Sequence, residues 1–128
     1  MILLIDTTDD DYTSAALFDG KRVKKARWKS SRNQEEIFFS NLRKFISKSR
    51  IFPEDLTRIA VVEGPGLFSR VRMGVVVANA MAFSLGIKVI GIKKDSPVTF
   101  KALNNAAAKG IAAPFYDKEP NITKPKGK

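Results

Sequence analysis

The chain has 128 residues, 44% hydrophobic and 28% charged, with no cysteine, no histidine and a formal net charge of +10. This is length for one domain around a modest core, and the composition excludes disulfides, thiolate metal sites, imidazole ligands and a histidine general base. The positive balance suits an anionic partner such as RNA, an acidic protein surface or a membrane face, and equally serves solubility.

Residues 1–6 form an apolar run closed by Asp6, the pattern of a central strand buried on both faces. The run is too short for a signal peptide, so a cytoplasmic protein is expected. Asp6, Thr7 and Thr8 then leave the sheet in the manner of a degenerate phosphate loop. Asp9, Asp10 and Asp11 follow at once, and four acids within six residues repel a phosphate, so this loop alone is not expected to bind a nucleotide. Asp19-Gly20 between two strand-like runs, residues 12–18 and 21–28, is a strong hairpin signal. The second of these runs is lysine-rich, as in a protected edge strand or a surface that follows RNA phosphates.

Residues 30–33 offer helix caps, and a helix from Gln34 to about Ser49 places Phe38, Leu42, Phe45 and Ile46 on one stripe. After a turn around Pro53, residues 59–62 form a strand that ends at Glu63. Gly64-Pro65-Gly66 makes a tight loop, and Phe68 or Ser69 opens a helix running to about Leu85 with Gly86 as its stop. From Gly74 to Phe83 that helix has only Asn79 as a polar residue, so it must be covered on every side. Gly74, Ala78 and Ala82 form a smooth stripe, while Met73, Val76, Ala80 and Phe83 carry bulk on other faces. One sheet covers one side; either a second helix of the chain or a partner covers the other. The helix is too short and too closely flanked by charge to span a membrane. Residues 88–92 form a fifth strand, residues 94–96 cap a third helix over 98–108, and Gly110 ends it. Residues 1–113 thus form the domain, and 114–128 an extended basic tail.

The segment from Val62 to Gly91, with Gly64, Pro65, Gly66, Phe68, Ser69, Arg72, Gly74 and the run Ala82-Phe83-Ser84-Leu85-Gly86, resembles the TsaB (YeaZ) family. The opening Leu3-Leu4-Ile5-Asp6-Thr7-Thr8 is similar to the same family's start, and Pro114-Phe115-Tyr116 to its ending. The resemblance implies an α/β fold of the ribonuclease H-like, actin-like ATPase type: a five-stranded mixed sheet in the order β-β-β-α-β-α-β, with helices packed on it. It further implies a shortened chain without most of the second subdomain. The implied role is a noncatalytic subunit that dimerises with a TsaD-type catalytic partner in threonylcarbamoyl modification of the adenosine beside the tRNA anticodon. A TsaE-type ATPase as further partner, a homodimer in the absence of TsaD, and tRNA contact through the basic surface belong to the same expectation, with no cofactor. The implied interface takes in Phe38, Leu42, Phe45, Met73, Val76, Ala80, Phe83 and Arg72. Leu67 and Arg70 stand where the family has serine and glycine. Arg70 and Arg72 thereby put two cations in the first helical turn, the unfavourable end, where an acid of the partner or a phosphate of tRNA would compensate them.

Two alternatives stay open on the residues. Asp6, Glu36 and Glu63 stand near the places where ribonuclease H-like nucleases hold two metal ions. A stand-alone RNA-binding module would use the basic strand alone. The glycine loop has no Walker lysine, and its glycines serve a close turn or an anion held by backbone N–H groups.

Overall fold

The computed structural model describes residues 1–29, 34–66, 68–96, 98–106 and 112. Five strands form one sheet: β1 (Ile2–Asp6), β2 (Tyr12–Phe18), β3 (Val23–Lys29), β4 (Arg58–Gly64) and β5 (Lys88–Lys93), in spatial order β3-β2-β1-β4-β5. β1 runs parallel to β4, and β4 to β5, while β2 is antiparallel to both its neighbours. The expected strand and helix order is observed, with α1 (Gln34–Lys48) before β4, α2 (Phe68–Leu85) between β4 and β5, and α3 (Phe100–Asn105) after β5.

The uninterrupted apolar character of β1 and β4 follows from their central place, because each strand is covered on both faces. Leu3, Ile5, Ile59 and Val61 point to the side of α1 and α2, where Phe38, Leu42, Val71, Val75, Ala78 and Ala82 complete the core. Ile2, Leu4, Ala60 and Val62 point to the other side and pack with Ile90 and Leu103 of α3. β3 closes the α1 side at its margin, its Trp28 ring stacking on Phe38 with centroids 6.0 Å apart.

Local chemistry sets the ends. In the β2–β3 turn Asp19 Oδ1 accepts from the backbone N–H groups of Lys21 and Arg22. Gly86, at φ +68, stops α2 in a left-handed conformation, and the N–H of Ile87 donates back to the carbonyl of Ala82 at 3.0 Å. The third helix is shorter than its sequence pattern suggests, and its cap is Thr99, whose hydroxyl accepts from the N–H of Ala102, rather than residues 94–96. Those residues are committed to a turn, with the N–H of Lys94 donating to Gly64 and that of Ser96 to Lys93. Arg58 Nη1 reaches the carbonyls of Asn104 and Ala106, so a guanidinium compensates the negative end of α3. The cap expected at 30–33, Leu67, the stop at Gly110 and the tail from 114 lie outside the described residues.

Candidate functional site

The loop after β1 folds onto itself. Asp6 Oδ1 accepts both the N–H and the hydroxyl of Thr8, at 2.9 and 2.6 Å. The buried Thr7 hydroxyl donates to the carbonyl of Arg70 at 2.7 Å. Thr7 lies so close beneath α2 that a Cβ on Gly74 would collide with its side chain, and one on Gly66 would stand 3.2 Å from the Thr8 Cα. Gly66 and Gly74 therefore make room for the loop after β1, Gly66 beside the Thr8 backbone and Gly74 over the Thr7 side chain, in keeping with the close-packing role weighed for the glycines above. The residues that look like a degenerate phosphate loop, Asp6, Thr7 and Thr8, join β1 to the start of α2. Of the other motif residues, Pro65 is half-buried and Ser69 is exposed on the first turn of α2.

Arg70 corrects the expectation of a cation that needs an outside anion. Its side chain is buried and runs inward, Nη2 donating to the carbonyl of Tyr12 at 3.0 Å and Nη1 to that of Asp10. Burial lowers its pKa, while Asp9, Asp10, Asp11 and Asp6 pull it back up, so the guanidinium stays charged within the acidic loop. The four acids thus have an internal counter-ion.

The backbone N–H groups of Asp11 and Tyr12 hold the Asp9 carboxyl below the usual carboxylate range. A carboxylate with a depressed folded-state pKa adds stability that is fully present above its unfolded value, 3.8, and is lost as pH falls through the lower folded one. Asp9→Asn is accordingly expected to lower stability slightly at neutral pH, where the carboxylate contributes in full, and to flatten the acid limb so that the two proteins converge below about pH 4, read as urea midpoints across that range.

α2 divides cleanly by face. Val71, Val75, Ala78 and Ala82 are buried against the sheet. The opposite stripe, Ser69, Arg72, Val76, Ala80 and Phe83, is exposed along its whole length, the Phe83 side chain to 90% and Val76 to 56%. Met73 is half-buried at the flank. Beside the far end of this ridge lies a shallow groove of about 310 Å³ lined by Pro53, Ala80, Met81, Ser84 and Leu85, and Phe52 nearby is 71% exposed. Single exposed apolar residues are ordinary, whereas a contiguous apolar ridge beside an apolar groove is a candidate docking surface. Between the two faces of α2, Ala112 is pinned to the helix. Its N–H donates to Asn79 Oδ1 at 2.8 Å and its carbonyl accepts from Asn79 Nδ2 at 3.1 Å.

The ridge holds only part of the expected interface set. Val76, Ala80, Phe83 and Arg72 lie along it, with Met73 at its edge. Phe38, Leu42 and Phe45 do not join them: they point into the core, Phe38 fully buried between the sheet and Trp28, and no partner can reach them in this fold. The correction has a simple cause, since periodicity finds the apolar stripe of a helix but not what lies over it. Phe39, half exposed, and Phe52 are the surface aromatics that sequence reasoning passed over. Only their position outside the α1 stripe and next to Pro53 would have pointed to them.

The carboxylates of the nuclease alternative do not assemble. Among the described residues no group of three or more metal-ligating side chains converges. Glu63 leans over β5, where only the missing side chain of Gly91 leaves room for its carboxylate. Asp6 is tied to Thr8, and Glu36 is exposed on α1. Among the described residues no helix is long and apolar enough to cross a membrane.

Comparison with known proteins adds to this geometry. Residues 28–110 match the family model described as TsaD: tRNA N6-adenosine threonylcarbamoyltransferase. A tRNA threonylcarbamoyladenosine biosynthesis protein TsaB of Bacillus subtilis is 27% identical over 116 residues, covering 91% of this chain and 49% of the relative. A tRNA N6-adenosine threonylcarbamoyltransferase of Chlorobaculum tepidum is 31% identical over 140 residues, covering 98% of this chain and 36% of that protein. The chain therefore spans between about a third and a half of the length of the curated relatives it matches. The solved structure of YeaZ from Pseudomonas aeruginosa superposes with a TM-score of 0.67 at 24% identity, over 72% of this chain and 43% of that one, and has the same actin-like ATPase fold.

Proposed function

The chain belongs to the TsaD family, as a member of the TsaB (YeaZ) type, and from that premise we propose that it is a noncatalytic subunit in the synthesis of threonylcarbamoyladenosine in tRNA, pairing with a TsaD-type catalytic protein through the outer face of α2. The observation that carries the reading is the exposed ridge of Val76, Ala80 and Phe83. Burying a side chain such as Phe83 contributes about 1.5–3 kcal/mol, and a central aromatic of this kind is the usual anchor of a protein interface. The chain carries no histidine, so it offers no imidazole to bind a metal or to act as a base, and the acidic loop is already compensated by Arg70. Both features favour a supporting part over a catalytic one. The reading includes homodimerisation through the same ridge when TsaD is absent, a TsaE-type ATPase as a further partner, and a cytoplasmic setting.

The test is co-expression with the TsaD-type subunit of the same source, followed by size-exclusion chromatography and calorimetry. The unmodified chain is expected to co-elute with its partner. Val76→Asp and Phe83→Asp are expected to weaken the pair roughly 100-fold or more, because each leaves a charge without compensation at the centre of a desolvated contact. Their far-UV spectra and melting midpoints should match the parent, since both sites face solvent. Unchanged assembly in both variants would refute the assignment of the ridge.

A further inference from the structure

The opposite margin of the molecule carries a second unfilled surface. β3 is the edge of the sheet: β2 lies along one side, and among the described residues no strand lies along the other. At seven residues it is long for an edge, and its outer backbone N–H and C=O groups form a template for another strand. Strand alternation and the register against β2 put Lys25, Arg27 and Lys29 on one face, opposite Ala16, Ser14 and Tyr12. Ala26 and Trp28 turn to the other face, both half-buried against the core. From Gly20 to Gln34 the sequence has seven basic residues and no acid. A second copy of β3 would set like charges directly opposite one another, so self-pairing is disfavoured.

We propose that β3 is a docking edge for an extended acidic segment of another protein, one that alternates acids with apolar residues and adds to the sheet as a sixth strand. The acids lie opposite Lys25, Arg27 and Lys29, the apolar residues lie beside Ala26 and Trp28, and backbone pairing fixes the register. Charge complementarity selects the acidic partner, and the open backbone row selects a polypeptide over a nucleic acid, whose sugar-phosphate chain offers acceptors but not the alternating donors and acceptors at strand spacing. Tyr12, the nearest exposed aromatic on the basic face, is already stacked under the Arg27 guanidinium at 4.3 Å and offers no free platform for a base. The surface is remote from the α2 ridge, so the inference does not rest on the pairing reading.

Trp28 is the only tryptophan of the chain and sits on this strand, so its fluorescence reports the event directly. The full chain is titrated with a seven-residue peptide of alternating glutamate and valine, with a scrambled peptide of the same composition, and with single-stranded oligouridylate. Saturable binding of the alternating peptide with a blue shift of Trp28 emission is expected. So is weakening of about tenfold or more in a Lys25→Glu, Arg27→Glu double variant and no change in Phe83→Asp. Similar binding of the scrambled peptide would overturn the proposal, because it would leave charge alone without strand addition. It would equally be overturned if oligouridylate bound with loss in the double variant while the peptide did not, since the edge would then be a nucleic-acid surface. Absence of any peptide binding would also overturn it.

Discussion

Replacing Phe38 by alanine is expected to lower stability by about 3–5 kcal/mol, the largest effect of any single truncation considered for α1. The ring is fully buried, stacks on Trp28, and joins α1 to the sheet where β3 would otherwise have one covered face fewer. A native domain is stable by only about 5–15 kcal/mol, so the variant should melt about 10 °C or more below the parent and expose Trp28 to water as it does so. Phe83→Ala, on the adjacent helix, is expected to stay within about 0.5 kcal/mol of the parent, because its side chain has few contacts to lose within the monomer. Thermal melts and urea midpoints of the two variants, run together, would decide which phenylalanine is core and which is surface. For the same reason an aspartate at position 38 tests folding and not assembly; the charge-bearing variants that report on docking belong at positions 76 and 83.

The second large effect is expected at Arg70. Arg70→Ala removes two charge-assisted hydrogen bonds, to the carbonyls of Asp10 and Tyr12, and leaves Asp6, Asp9, Asp10 and Asp11 without their common counter-ion. Hydrogen bonds to a charged group contribute about 1.5–3 kcal/mol each and their sum is rarely fully additive, so a loss of about 2–4 kcal/mol is anticipated at pH 7. The part of the deficit that comes from the lost counter-ion should hold from pH 7 down to about 4 and shrink only below that, where carboxylates take up protons, while the part from the two carbonyl hydrogen bonds persists. Arg70→Lys should restore the pH dependence but not the whole stability, since an ammonium cannot span two carbonyls with a planar fork. Denaturant midpoints of the three proteins at several pH values check this. A deficit in Arg70→Ala that does not vary down to about pH 3 would mean that the carbonyl hydrogen bonds and packing, not compensation of the acids, are what the arginine supplies.

Much of the sheet was legible from the chain. The apolar runs at 1–6 and 59–62 read directly as central strands, because burial on both faces leaves no room for a polar alternate. Asp19-Gly20 marked the hairpin, and Gly86 marked the end of α2. The site was legible only in part. The ridge of Val76, Ala80 and Phe83 followed from the apolar surround of α2, since one sheet cannot cover a whole helix. What could not be read was orientation decided by partners far along the chain. Trp28 turning inward made Phe38 core, and the inward course of Arg70 depended on carbonyls about sixty residues earlier. Asn79, the lone polar residue among the apolar ones, reads alone as an exception, and its purpose appears only with Ala112 beside it. The third helix was placed too early because the turn at residues 93–96 uses the same polar residues as a cap.

The bond between Arg70 and the acidic run ties together distant parts of the chain. Two stretches of sequence separated by 60 positions share one electrostatic balance, so the effect of a change in either depends on the other. Without the guanidinium three successive aspartates after the first strand would repel one another uncompensated, and without the aspartates the arginine's charge would lose most of what raises its pKa against burial.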